Sequence, residues 1–314
     1  MSINEIIIYV MVVFMVLGAI DKCIGNKFGL GEQFEEGIMA MGSLAVAMVG
    51  VICLAPVLAD VLRPIVVPVF NILGADPAMF AGSLLANDMG GAPLALELAK
   101  DPNAGLFGGL VAGFEVMMVL RNLVPIIIFA VVIALGLLKF ENAMIKGFTY
   151  FGKGVVIVIT LGLAAAIVEA LTGIVVIPGM KPISEGIEIV GDIAIVLAGA
   201  FPLVFVITKV FNKPLMALGK VLGMNDVSAA GLVASLANCI PMFGMMKDMD
   251  NRGKIINVAF SVSAAFVFGD HLGFTAGFNS NMITPMIVAK LVGGITAVLL
   301  AMVIANKTLK KENV

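Results

Sequence analysis

Apolar runs long enough to cross a bilayer recur along the whole of this chain, and they constrain its fold more than any motif does. In hydrocarbon every backbone N–H and C=O must find a partner within the protein, which in a chain without strand-like alternation means helices. A spanning helix needs roughly 20 apolar residues. Residues 3–24, 37–58, 155–177, 187–208, 255–274 and 282–305 each meet that need. With 61% apolar and 13% charged residues among 314, and a mean hydropathy of +1.13, no soluble core could absorb these runs. The expected fold class is an all-α polytopic membrane protein.

Two further runs, 78–99 and 227–246, are interrupted near their middles by residues that membranes tolerate poorly. The first carries Asn87, Asp88, Gly90, Gly91 and Pro93, and the second carries Asn238 and Pro241. Proline removes a backbone donor and glycine frees the chain, so such backbone survives at membrane depth only inside protein or along a watery cavity. Both runs are therefore expected to form re-entrant or discontinuous helices. They also match each other: GADPAMFAGSLLAN from Gly74 resembles GMNDVSAAGLVASLAN from Gly223. Upstream, GIMAMGSLAVAMVG from Gly37 aligns with GIEIVGDIAIVLAG from Gly186 at one constant offset. The chain reads as a duplication, residues 1–146 and 147–314.

Lysines and arginines give the orientation. They gather at Lys139, Lys146 and Lys153, at Lys209, Lys213 and Lys220, at Lys247, Arg252 and Lys254, and at the C-terminal lysines, which places those loops and the C-terminus in the cytoplasm. Lys22 and Lys27 put the first loop inside and the N-terminus outside. For both flanks of 227–246 to be cytoplasmic, that segment must turn back on itself. The halves are then inverted repeats, an architecture that brings broken helices together around a midplane solute site.

Several side chains carry possible chemistry. An ionised carboxylate at membrane depth is costly, so Asp88 beside Asn87 suggests a cation ligand, with helix capping as the structural alternative. Asn238 occupies the equivalent turn. Asp270 and His271, the latter the single histidine, lie late in the run 255–274 and suit a proton-linked gate or a second ligand pair. A position at the outer interface, against headgroups or water, fits them equally. Glu115 and Arg121 stand six residues apart, too far around an ideal helix for a direct pair. Glu188 and Asp192 share a helix face as solvated charges or as a cation vestibule. Cys23, Cys53 and Cys239 lack metal-ligand or disulfide spacing and read as reduced packing residues.

No HExxH, GxSxG, Walker loop or GxGxxG occurs, so neither an enzyme nor a cofactor is expected. The net charge of −2 gives no hold on nucleic acid, and lipid is the expected surroundings. A homo-oligomer is compatible with the sequence.

The stretches EQFEEGIMAMGSLAVAMVG from Glu32, GADPAMFAGSLLANDMGGAPLALELA from Gly74, VLRNLVPIIIFA from Val119 and FGDHLGFTAGF from Phe268 together resemble the bacterial ethanolamine permease family. The resemblance implies transport of ethanolamine, protonated at neutral pH, across the cytoplasmic membrane. It also implies a longer protein, with further apolar segments between AGLFGGL at Ala104 and VLRNLVP. Repeat symmetry asks for extra spans at the same place, since only 104–138 is available there. On this reading ethanolammonium sits between the two broken turns. Asp88 balances its charge, Asn87 and Asn238 hydrogen-bond it, and Gly90 and Gly91 admit backbone carbonyls. An ion-coupled carrier of another polar solute and a non-transporting scaffold or sensor are the alternatives.

Overall fold

The computed structural model describes residues 1–85, 91–110 and 116–312, without the side chains of 107–121, 211, 212, 215, 218 and 307–312. The described residues form helices and turns, with no strand among them. In order these are α1 (Ile3–Cys23), α2 (Leu30–Ile72), α3 (Ala78–Leu84), α4 (Ala92–Leu98), α5 (Pro102–Leu110), α6 (Val116–Thr172), α7 (Ile183–Val221), α8 (Asp226–Ala237), α9 (Cys239–Met245), α10 (Asn251–Ala264), α11 (Asp270–Asn279) and α12 (Ile283–Glu312). Five described segments are long and apolar enough to cross a membrane: Ile3–Cys23, Leu30–Ile72, Asn122–Thr172, Ile183–Val210 and Asp270–Asn306.

The chain divides into two compact units, residues 1–40 with 193–314 and residues 41–192. In the first, Met11 of α1, Ala200 of α7, Leu272 of α11 and Ile283 and Met286 of α12 form a buried core. In the second, Ala59, Val66 and Phe70 of α2 pack with Met79 of α3 and Leu94 and Leu98 of α4.

Each unit contains the same local knot. Helix α2 ends in a left-handed glycine, Gly74 (φ 69°), with the Ala75 N–H reaching back to the Phe70 carbonyl. Helix α7 ends in the same way, at Gly223 (φ 72°), with the Met224 N–H on the Gly219 carbonyl. Both are helix terminations that need positive φ, which glycine adopts without a Cβ penalty. Two residues on, Asp76 accepts from the N–H groups of Ala78, Lys100 and Asp101, tying the start of α3 to the start of α5. In the matching place Asn225 caps α8 through the Ser228 N–H, while its own N–H donates to Asp250, which caps α10 through Gly253.

Three expectations need correction. The run 255–274 is not one span: α10 stops at Ala264 and α11 begins at Asp270. Helices α2 and α7 do not stop at 58 and 208 but continue to their glycine terminations. At 43 residues and about 1.5 Å each, α2 is about twice the ~30 Å hydrocarbon thickness, even with Pro56, Pro64 and Pro68 within it. The last span of the middle region ends at Thr172, not 177, in a helix that bends at Phe140.

Candidate functional site

The break between α8 and α9 falls on one residue. Asn238 is extended (φ −154°, ψ 133°), and its side-chain oxygen accepts from the Ile240 N–H at 2.8 Å, so it closes one helix and caps the next. A helix end at membrane depth leaves carbonyls without helical partners, and these must be satisfied from elsewhere. The segment that separates α10 from α11 does this. Phe266 N–H donates to the Ser235 carbonyl and Phe268 N–H to the Leu236 carbonyl, each at 3.0 Å. Phe266 takes a positive φ of 63° to do so. Gly269 then packs against the Ala237 carbonyl so closely that a Cβ there would overlap it. The two helix breaks therefore satisfy each other, and α11 begins beside Asn238.

Asn238 lines a cavity of about 160 Å³, with Gln33 and Glu36 from α2 and Phe201, Phe205 and Thr208 from α7. Thr208 donates its hydroxyl proton back to the Val204 and Phe205 carbonyls, at 2.9 and 3.0 Å, which leaves the oxygen lone pairs as acceptors. The cavity thus combines a carboxylate, two amides, a hydroxyl oxygen and aromatic wall. A larger cavity of about 410 Å³, between α8, α10 and α12, is walled by leucine, valine, isoleucine and phenylalanine and offers a polar solute no anchor.

On the other side of the α11 start, His271 is buried, and its Nδ1 lies 2.9 Å from the Lys290 ammonium of α12. With Lys290 donating, Nδ1 is the acceptor and Nε2 carries the proton. Both that Nε2 and the Thr275 hydroxyl one turn on are buried, with no hydrogen-bond partner among the described residues. His271 therefore packs inside the protein, whereas Asp270 is half-buried. Gly273 lies within α11 against Leu197 and does not mark a helix end, so FGDHLGF opens a helix instead of closing one.

The other expected site residues divide. Asn87, Asp88 and Gly90 lie outside the described residues, as does Glu115; the side chain of Arg121 does too. Gly91 is buried and adopts ordinary right-handed helical angles at the start of α4 (φ −64°, ψ −42°). Pro241 stands in the first turn of α9, where its missing N–H has no helical role, and it is exposed away from the cavity that Asn238 lines. Asn279 is the last residue of α11, and its side chain caps the one-turn helix that follows, so it is not a loop residue.

Two groups escape a reading of the sequence by spans. Lys290 sits within the run 282–305, and an ionisable residue there is itself a signal. Glu36 precedes the run 37–58 by one residue and passes for a loop charge, although α2 begins a turn and a half earlier.

Long apolar helices interrupted where polar side chains collect define an all-α, multi-pass membrane protein. The family described as "Ethanolamine utilisation protein, EutH" matches residues 3–111 and 102–304. The chain is 62% identical to "Probable ethanolamine permease EutH" of Listeria monocytogenes, across 99% of this chain and 97% of that one. It is 44% identical to the Escherichia coli protein of the same name (98% and 97%) and 46% identical to "Uncharacterized protein YxeR" of Bacillus subtilis (95% and 94%). The chain belongs to the EutH family. No solved structure matches it. The Listeria alignment runs to 361 residues against a chain of 314, so part of that relative has no counterpart here. The family match itself falls into two pieces that meet at 102–111.

Proposed function

We propose that this protein carries ethanolammonium across the cytoplasmic membrane as a facilitator or secondary transporter, with its C-terminus in the cytoplasm. The observation that carries this is a helix broken at Asn238 beside a polar cavity, in a chain whose relatives are named ethanolamine permeases. Asp88 balances the ammonium charge. Asn87 and Asn238 hydrogen-bond the ammonium or the hydroxyl, and Gly90, Gly91 and Pro241 shape the broken turns. Asp270 and His271 act as a gate, for which the Lys290 contact supplies a fixed charge to work against.

The halves 1–146 and 147–314 act as inverted repeats in this reading. Supporting it is a reciprocity in the helix contacts. Gly37 of α2 packs on the backbone of Ala198 in α7, where a Cβ would meet nitrogen at 2.5 Å. Gly186 of α7 packs on Val49 of α2, with a Cβ 2.9 Å from its side chain. At the constant offset of the duplication Gly37 corresponds to Gly186 and Val49 to Ala198, so one contact is the other with its partners exchanged. Two-fold relations generate such exchanged pairs.

The test is uptake of labelled ethanolamine into proteoliposomes at acidic pH, where passive diffusion of the neutral amine is negligible. Asp88→Asn should abolish it. Uptake at the wild-type rate with normal expression removes Asp88 from the site.

A further inference from the structure

We infer that the cavity beside Asn238 is a primary-ammonium site whose counter-charge is Glu36, on the inward side of that turn. The inference rests on the transport reading above and adds to it a residue that nothing in the broken-turn pattern points to.

The argument begins with what a small amino alcohol requires: a negative charge and acceptors for the ammonium, a donor for the hydroxyl, and a wall that tolerates two methylenes. Gln33 and Glu36 stand three residues apart on α2, and Phe201, Phe205 and Thr208 recur at four and three on α7, so each helix presents one face to the cavity. Glu36 supplies the charge, and among the described residues no hydrogen bond or ion pair engages it. Its neighbour Glu35 is differently placed, paired with Lys22 of α1. The Thr208 oxygen, its proton already committed to the Val204 and Phe205 carbonyls, accepts from the ammonium at low reorganisation cost. Asn238 has spent its oxygen on Ile240, which leaves its NH₂ to donate to the substrate hydroxyl.

The aromatic wall is suited to the same ion. The Lys209 ammonium already lies 4.9 Å from the Phe205 ring centre, so this ring holds a primary ammonium in the structure. The location follows from the helix ends: Glu36 lies near the start of α2, just after Lys22 and Lys27, and Thr208 precedes Lys209. This is the lysine-flanked side, assigned to the cytoplasm by charge, so the cavity is where the solute leaves the Asn238 turn.

Purified full-length protein in detergent, assayed with ¹⁴C-ethanolamine by scintillation proximity, tests this alongside proteoliposome uptake. Glu36→Gln should weaken binding at least about tenfold, the equivalent of about 1.4 kcal/mol for a lost charge-assisted contact. Glu36→Asp should retain part of the affinity, and Glu35→Gln should match wild type. Thr208→Val, nearly isosteric, should weaken binding by a smaller factor and serves if Glu36→Gln does not fold. Wild-type affinity in Glu36→Gln, or in Thr208→Val where the former misfolds, overturns the inference and leaves the transport reading standing. Absence of both binding and uptake in the wild-type protein overturns the transport reading, and this inference with it, before any variant is made.

Discussion

The two knots, one around Asp76 and one around Asn225 and Asp250, start alike and continue differently. Each follows a glycine-terminated helix, caps the helix that comes next and ties it to a later one. After the second knot the chain goes on through α10, α11 and α12, and Ala301 of α12 reaches a buried cluster with Met224 and Ile256. After the first, α5 is described to Leu110 and the next described helix is α6. The apolar stretch of α6 is mostly exposed, as are those of α1 and α12, whereas those of α2 and α7 are half buried. Capping is written in a few adjacent residues and forms without distant help. Burial needs a partner, either protein or lipid.

The largest effect should come from repairing that difference. Inserting the segment of the Listeria relative that has no counterpart here after Leu110, where the two matched pieces meet, should raise the melting temperature of the purified protein and increase ethanolamine uptake on the order of tenfold, as a gain of about 1.4 kcal/mol in the competent state would. Equal melting and equal uptake would mean that α6 finds its cover elsewhere, for example in a second copy of the chain. Next, Gly269→Ala should destabilise by about 1–3 kcal/mol, because the new methyl must displace the Ala237 carbonyl from the paired breaks. A fluorescent-fusion size-exclusion thermal assay would record the loss, and a similar substitution at Gly244, which has open space around it, should cost far less. Asp250→Ala removes a cap and should cost about 1–2 kcal/mol.

Asp250 also carries the smallest and most diagnostic effect. Partial burial works against its charge, but the Asn225 N–H, the Ser228 hydroxyl and the Gly253 N–H together outweigh that and hold its carboxyl below the usual aspartate range. A depressed folded-state pKa means stabilisation that is fully present above the unfolded value of about 3.9 and is lost as pH falls through it toward the folded one. The melting difference between wild type and Asp250→Asn should therefore shrink below about pH 4. A difference that is constant with pH would assign Asp250 a role through shape alone.

What could be read from the sequence follows the same division. The break at Asn238 is visible because an asparagine and a proline interrupt an apolar run, and the duplication is visible because a constant offset holds over many residues. The break at Ala265 to Gly269 is hidden. AFVFG is apolar apart from its glycine, and its non-helical backbone is stable only because carbonyls on α8, thirty residues earlier, receive its N–H groups. Lys290 is visible as a charge inside a span, but its contact with His271 depends on how α11 and α12 pack. Pro241 marks the same break from its far side: the chain is interrupted at Asn238, and the proline sits in the first turn of the helix that follows.

The hydrogen bonds from Phe266 and Phe268 to the end of α8 bear on how specificity could change. Ion filters built from backbone carbonyls are chemically invariant, since no substitution alters a peptide oxygen. In this hairpin the Ser235 and Leu236 carbonyls already accept from Phe266 and Phe268, so under the proposed function recognition beside Asn238 falls to side chains. A pocket of that kind can be retuned from one small amine to another by single codon changes, without redrawing the fold that holds it.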